Sequence, residues 1–294
     1  VLTFQQFAEA HGVLIRKLVS SDRIQRCPTT THPKSTNGAY LWDGQRGGVM
    51  AWDGEGAWHW WRDDNAKPWT GAEKRAWAMK QREAERARED GQKRAALAAA
   101  NQLRLCTYQP HGYLELKGFP TASGLVDADG TLHIPMRDYK TNELLGSQRI
   151  YRDGDKWVKK MTPGMRAKGA VLRIGQAKAR ETWLVEGYAT GLSTQAALKA
   201  AHADAAVLVC FSTSTMKHMA AEVRGEVYVF ADHDAPNLEF PERGEAGQKA
   251  ARATGLPYCM APTVGHDAND WHQASGINPL VRAIMGLRRT RAAA

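Results

Sequence analysis

Cysteine is scarce in this sequence: Cys27, Cys106, Cys210 and Cys259 are the four among 294 residues. They lie far apart and form no Cys-x-x-Cys pair, which argues against a zinc ribbon or a disulfide framework. Free, dispersed cysteines fit a reducing cytosol. Long apolar runs are also missing. No stretch approaches the roughly 20 residues that cross a bilayer, and no basic-then-apolar leader pattern opens the sequence, so a cytoplasmic location is expected. There is no GxxxxGK[ST] phosphate loop; "GYATGLS" lacks the lysine, so no helicase motor is legible. Acidic residues are outnumbered, 31 against 40 Lys and Arg, which leaves a formal charge of +9. That balance favours polyanionic partners without identifying one.

What is present changes character along the chain. Residues 1–19 read as a short amphipathic helix with Phe4, Phe7, Leu14, Ile15 and Leu18 near one face. Residues 20–61 are rich in Gly, Thr and Trp. Their short runs "GAYLW", "GVMAW" and "AWHWW" are separated by Asp-Gly at 43–44 and 53–54, which suits tight hairpins. A small antiparallel β module is expected within 1–69. Residues 70–104 switch to Ala, Arg, Lys, Glu and Gln, strong helix formers with few large apolar side chains. They predict a charged linker helix that Gly91 breaks in two. From 105 to 180 the pattern turns globular, with strand–turn–strand units at "GLVDADGTLHIPMRD" and "LLGSQRIYRDGDKWVKK" and a further strand at "GAVLRIG". From 181 to 275 strands and helices alternate: "TWLVEG", "TGLSTQAALKAA", "AAVLVCF", "TSTMKHMAAEV", "EVYVFAD", "EAGQKAARATG", "LPYCMA". Alternation of this kind predicts an α/β fold, a parallel sheet flanked by helices. Residues 276–294 read as a basic helical tail.

Chemistry concentrates where two of these strands end. In open α/β sheets ligands collect beyond the carboxyl ends of the strands. Glu186 sits at one such end. Asp232 and Asp234 follow another, and residues two apart on an extended chain point the same way. Three carboxylates meeting there would form a strongly negative, oxygen-rich site that Mg²⁺ or Mn²⁺ would satisfy. Asp267 and Asp270, in "GHDANDWHQASG", are weaker candidates for the same site. Taken singly, each acid reads more readily as a solvated strand end, a turn or a loop residue; the pattern gains specificity only as a set.

"VEGYATGLS" followed by "VFADHD" resembles the Toprim domain, the metal-binding core of DnaG-type primases, topoisomerases and some nucleases. "HGYLELKG", "GTLHIPMRD", "GSQRIYRDGDKW", "TPGMRAKGAVLRIG" and "GHDANDW" follow the order found in DnaG-like primases of plasmids and phages. The resemblance covers residues 105–275. It implies a Toprim-type, Rossmann-like sheet preceded by a mixed α+β subdomain and the small N-terminal β-rich module. It further implies that Glu186, Asp232 and Asp234 are catalytic and, with Asp267, hold Mg²⁺ or Mn²⁺ for nucleotidyl transfer.

A primase also handles two polyanions, a single-stranded DNA template and ribonucleoside triphosphates. Arg137, Arg149, Lys159, Lys160, Arg166 and Lys168 precede the acidic core and are candidates for those phosphates. Arg166 and Lys168 lie in the glycine-flanked "PGMRAKGA", whose backbone N–H groups are further anion donors. Where many primases carry a zinc module, this sequence has only Cys27, with His32 and His59, so no zinc is expected. Trp42, Trp52 and Trp60 would stack on template bases, or serve as the core of the β module. The resemblance thus implies a DNA primase making short RNA primers, with unwinding left to a separate helicase. A Toprim-type nuclease and a noncatalytic DNA-binding or recombination scaffold are the alternatives. "TSTMKHMA" departs from the asparagine–leucine pattern of such primases.

Overall fold

The computed structural model describes residues 2–52, 57–64, 66, 68–238 and 244–292, without the side chains of 291 and 292. Contacts divide the chain into two units, Val1–Arg82 and Glu83–Ala294.

The first unit opens with α1 (Phe4–Ala10), started by a capping box between Thr3 and Gln6. The helix is shorter than the expected 1–19. Gly12 takes φ +74°, Val13 donates back to the Ala8 carbonyl at 2.8 Å, and Val13 then bridges Thr29. Four antiparallel strands follow in the order β1 (Ser21–Cys27), β2 (Gly38–Trp42), β3 (Arg46–Ala51), β4 (His59–Arg62). The β2–β3 hairpin turns at Asp43-Gly44. Gly44 has φ +106°, and Asp43 Oδ1 accepts the N–H groups of Gln45 and Arg46 at 2.8 and 2.6 Å. The second expected turn, at 53–54, lies outside the described residues.

Phe4, Ala8, Val13, Cys27, Tyr40 and Val49 form the core on the α1 side of this sheet. Trp42 belongs to that side: its ring stacks on Phe4 at 6.1 Å and 8°. One face of the Trp42 indole, expected to stack on template bases or to serve the core, is thus taken by Phe4. Trp61 packs on Phe4 as well. The doublet Gly47-Gly48 shows why β3 needs glycine. A Cβ on Gly47 would stand 2.5 Å from Phe4, and one on Gly48 would stand 2.9 Å from Trp60.

Helix α2 runs unbroken from Gly71 to Arg104. Gly91 does not split it: glycine costs about 1 kcal/mol relative to alanine but keeps its N–H donor, and the strong helix formers on either side absorb that.

The second unit is built on one ten-stranded sheet. Its main path is β14-β13-β11-β12-β10-β7-β6-β5, with β8 and β9 branching from β7. Strands β11 (Glu181–Val185), β12 (Ala205–Val209), β13 (Glu226–Ala231) and β14 (Tyr258–Met260) are parallel. Strand β10 (Ala170–Ile174) pairs antiparallel with β12 and with β7 (Leu132–Asp138). Strands β5 (Thr107–Pro110), β6 (Ser123–Val126), β8 (Leu144–Asp153) and β9 (Lys156–Met161) complete an antiparallel half. The fold is α/β as expected, but the basic segment and the acidic segment share one continuous mixed sheet.

Strands β11, β12 and β13 read as unbroken apolar runs because both of their faces are covered. Helices α5 (Thr213–Glu222) and α6 (Ala246–Thr254) pack on the face carrying Leu184, Leu208 and Val229. Helices α4 (Tyr188–Ala200), α7 (Ala268–Ser275) and α8 (Ile277–Ala292) gather on the face carrying Trp183, Val207 and Phe230. Helix α8 corrects the reading of a basic tail. Leu280 and Ile284 are fully buried, and Arg288 reaches the buried Glu181 with Nη2–Oε1 2.7 Å. Its arginines read as a tail in sequence, yet its apolar stripe makes it core. Among the described residues no helix is long and apolar enough to cross a membrane.

Candidate active site

Strand β11 ends at Val185, and the chain turns through Glu186 and Gly187 into α4, with Gly187 in extended geometry at its N-cap. The Glu186 carbonyl accepts the Phe211 N–H at 2.8 Å, which ties the turn to the end of β12. Strand β13 ends at Ala231 and delivers Asp232, His233 and Asp234 in succession. His233 turns away: its Nδ1 is 2.8 Å from the Ala261 carbonyl, and its N–H reaches the His266 carbonyl. The alternation expected of an extended Asp-x-Asp is thus present. Asp232 and Asp234 line an open cleft of about 610 Å³ together with Glu186, Asn237 and Ala246.

The electrostatics of this cleft are unfavourable as it stands. Burial, and then the charges of Asp267, Glu186, Asp234 and Asp270, push the Asp232 carboxyl up to about 8. Burial and the neighbouring Asp234 raise Glu186 above its ordinary value. Asp232 Oδ1 is buried without a hydrogen-bond partner among the described residues. A buried polar atom of that kind is costly unless something satisfies it.

Asp234 is held differently. Its Oδ2 accepts the Gly247 N–H at 2.6 Å. Buried Gln248 clamps its backbone, accepting the Asp234 N–H at 3.1 Å and donating to its carbonyl at 2.9 Å. Among the described residues no three His, Cys, Asp or Glu side chains come close enough together to hold a metal ion. The expected three-carboxylate convergence is not met at metal-binding distances among the described residues, and the start of α6 takes one Asp234 oxygen. The donor chemistry still fits a hard divalent cation. Carboxylate oxygens supply it, and the orphaned Asp232 Oδ1 is the atom that such a cation would satisfy.

Asp267 is the N-cap of α7 rather than a loop acid. Its Oδ1 accepts the N–H groups of Asn269 and Asp270 at 2.6 and 2.9 Å, and its Oδ2 accepts the Thr190 hydroxyl at 3.1 Å. Asp270 closes the capping box and lies 3.6 Å from Lys117 Nζ. Buried Asn269 donates to the Lys117 carbonyl and to Ser193 Oγ. This polar network joins the antiparallel half of the unit to α7, and nothing in the spacing of "HDANDW" revealed it. Thr190, Gly247 and Gln248 likewise escaped sequence reading, since each acts by holding an acid in place across a long gap in the chain.

Sheet register sorts the basic candidates. Because β10 runs antiparallel to β12, its start at Ala170 lies at the carboxylate end, beside Asp138 of β7. Arg137, Arg166 and Lys168 therefore sit at that end. Arg137 is exposed and donates to the Asn142 carbonyl at 3.0 Å. Arg166 is paired with Asp138, whose Oδ1 also accepts the N–H groups of Lys140 and Thr141. Lys168 is exposed, with no ion pair among the described residues, and lines a cavity of about 250 Å³ with Tyr139, His218 and Glu222. Arg149 and Lys160 are neighbours across β8 and β9, and Arg149 lies opposite His133. Four residues separate His133 from Arg137, about 13 Å of strand. The structure does not bring this pair to the carboxylate end. Lys159 instead stands over the Tyr113 ring at 5.3 Å.

Residues 181–278 match the model of the Toprim domain family. No curated protein matches the chain. Two solved structures are similar to it. One is a DnaG catalytic core, 17% identical, covering 54% of this chain and 52% of that chain with a TM-score of 0.35. The other is a DnaG primase catalytic domain bound to single-stranded DNA, 15% identical, covering 53% of this chain and 51% of that chain with a TM-score of 0.35. The chain spans about half the length of these structures.

Proposed function

We propose that this chain, whose residues 181–278 form a Toprim domain, is a DNA primase that makes short RNA primers on single-stranded DNA in the replication of a plasmid, phage or mobile element. The observation that carries the reading is the orphaned Asp232 oxygen beside Glu186 and Asp234, at the ends of β11 and β13. It is supported by Arg137, Arg166 and Lys168, which the antiparallel half of the same sheet brings to the same end. A Toprim nuclease has no evident need of such a nucleotide-handling half.

Asp232 would hold the divalent cation through its orphaned Oδ1, with Glu186 and Asp234 lining the same cleft. When bound, Mg²⁺ or Mn²⁺ supplies activation of a primer 3′-hydroxyl and neutralisation of the departing pyrophosphate. The chain's own residues do the rest. Gln248 and the Gly247 N–H fix the Asp234 loop. Thr190 and the start of α7 hold Asp267, whose charge helps to raise the Asp232 carboxyl. Lys168 and Arg137 are the cations available to an incoming triphosphate.

The test is synthesis on circular single-stranded DNA with labelled ribonucleotides and Mg²⁺ or Mn²⁺. Short labelled oligoribonucleotides are expected, and both Asp232→Ala and Glu186→Ala abolish them. Metal-dependent nicking without synthesis would replace this reading with a nuclease.

A further inference from the structure

The first unit carries aromatic surface that its own core does not use. Trp42 and Trp61 face α1, but Trp60 is 61% exposed and Trp52 47% exposed on the described surface. Trp58 and Trp60 stack on each other at 5.7 Å and 22°, and both rings lie against Gly48. By strand alternation, Gly48 faces away from Val49 and the core. The outer face of the sheet is therefore paved with indole. Arg26 stands 3.8 Å over the Trp52 ring on this unit.

Next to that pavement is a cavity of about 410 Å³, lined by Leu41, Arg46, Trp60, Trp69, Trp77 and Lys80 among others. Trp69 and Trp77 meet at 5.6 Å, and the Arg46 guanidinium lies 5.2 Å over Trp69. The walls are flat and aromatic, while the rim carries Arg46 beside Asp43 and Lys80 beside Asp22. The Lys80–Asp22 pair is exposed on both partners. Such pairs contribute little and exchange readily for a phosphate. Across residues 1–82, twelve Lys and Arg stand against eight Asp and Glu.

Exposed tryptophans grouped with arginine and lysine are the complement of one ligand chemistry. Every nucleobase has a π-face that stacks on indole whatever its identity, and a strand places one phosphate beside each base. A folded protein partner would not need cations at the rim of an aromatic slot. A duplex hides its π-faces. We propose that this face of the first unit binds single-stranded nucleic acid, with a base entering the slot between Trp60 and Trp77 and neighbouring phosphates meeting Arg46 and Lys80. The slot is built wholly from residues of the first unit; as a site for the template strand it rests on the primase reading, and its test is binding rather than synthesis.

The test uses the full chain in EDTA, so that metal held by the carboxylates contributes nothing. Binding of a fluorescein-labelled oligothymidylate is followed by anisotropy across a salt series. Trp60→Ala and Trp77→Ala are each expected to weaken binding roughly 5- to 150-fold, the range for one lost base stack. Trp60→Phe recovers most of the loss, which guards against a folding artefact. Arg46→Ala lowers the salt slope by about 0.7, the value for one phosphate contact on a single strand, whereas the tryptophan variants leave the slope unchanged. Asp232→Asn leaves this binding intact even where it abolishes synthesis, so the two readings fail separately. Unchanged affinity in a Trp60→Ala/Trp77→Ala double variant would overturn the proposal. So would equal affinity for a duplex of the same length, or for free thymidylate.

Discussion

The Gly247 N–H donates to Asp234 Oδ2 across 2.6 Å, and a Cβ built on Gly247 would stand only 2.5 Å from the Asp232 carbonyl oxygen. The first turn of α6 and the Asp-x-Asp loop are therefore in direct backbone contact. Rotamer changes cannot relieve a clash with a carbonyl. In Gly247→Ala either α6 or residues 232–234 must move. A misplacement on the order of 1 Å can cost about 100-fold in rate, and overpacking typically costs about 1–3 kcal/mol. Primer synthesis is expected to fall by that order while the far-ultraviolet circular dichroism stays native. Wild-type activity in this variant would show that the loop does not set the site.

Asp232→Asn separates stability from activity. The folded-state carboxyl is pushed up to about 8 from an ordinary value of 3.8. Between those pH values the folded protein holds a proton that the unfolded chain has released. Stability of the metal-free protein therefore falls as pH rises across this window, and the loss is complete above about 8. Asparagine removes the titration. At pH 8 without metal the variant is expected to melt higher, by about 2–4 °C per kcal/mol gained in a unit of this size, yet to make no primers. Adding Mg²⁺ raises the wild-type melting temperature and not the variant's. A variant that melts lower in EDTA at pH 8 would contradict the electrostatic account.

Much of this was legible in the sequence, and the exceptions have causes. The parallel half showed because its strands are continuous apolar runs bounded by helix formers, as in "TWLVEG" and "EVYVFAD". Glu186, Asp232 and Asp234 showed because acids at strand ends interrupt those runs. Asp267 was found as an acid, but its work as the cap of α7 was not, because the Thr190 hydroxyl that helps fix it lies 77 residues away. The role of Gly91 is not legible, because composition cannot say whether one glycine ends a helix or is carried through by its neighbours. The placement of residues 276–294 is hidden in the sequence for a related reason. Four arginines after Pro279 dominate the local charge, while Leu280 and Ile284, which decide its placement, are ordinary residues until their partners are known. Trp42 and Trp60 look equivalent in "YLW" and "HWW"; only strand register puts one against Phe4 and the other outside.

Arg288, near the end of α8, pairs with Glu181 at the start of β11. Arg288 Nε and Nη2 reach Glu181 Oε1 at 2.8 and 2.7 Å, and the Trp183 Nε1–H donates to Oε2 at 3.3 Å. Glu181 is 3% exposed. Removing the arginine leaves a buried carboxylate without its cation, and breaking a buried pair typically costs about 3–5 kcal/mol. Arg288→Met should lose that amount in urea unfolding. The double variant Glu181→Gln/Arg288→Met should lose far less, because no charge is stranded. If the single and double variants are equally destabilised, the packing of α8 rather than the pair is responsible.

Arg166 and Lys168 are two residues apart in one loop and are expected to behave differently. Arg166 pairs with Asp138, and Asp138 also caps the β7–β8 turn through the N–H groups of Lys140 and Thr141. Burial works against the charge of Asp138, but those hydrogen bonds and Arg166 outweigh it and hold its carboxyl below the ordinary value. Arg166 is thus a tie between the loop and the hairpin. Arg166→Ala should cost about 1 kcal/mol of stability, in keeping with a half-exposed charged pair, and should lower kcat and raise KM together as the loop loosens. Lys168 has no such tie among the described residues and stands at the carboxylate end of the sheet. Its ammonium is a point charge for a phosphate. Lys168→Ala should therefore raise the KM for ribonucleoside triphosphates about 10-fold, the worth of one charge-assisted hydrogen bond, with stability unchanged and kcat affected least. Lys168→Arg should recover most of that loss. If Lys168→Ala instead destabilises the protein and leaves KM alone, the loop's only function is to join β9 to β10, and the triphosphate must be met by Arg137.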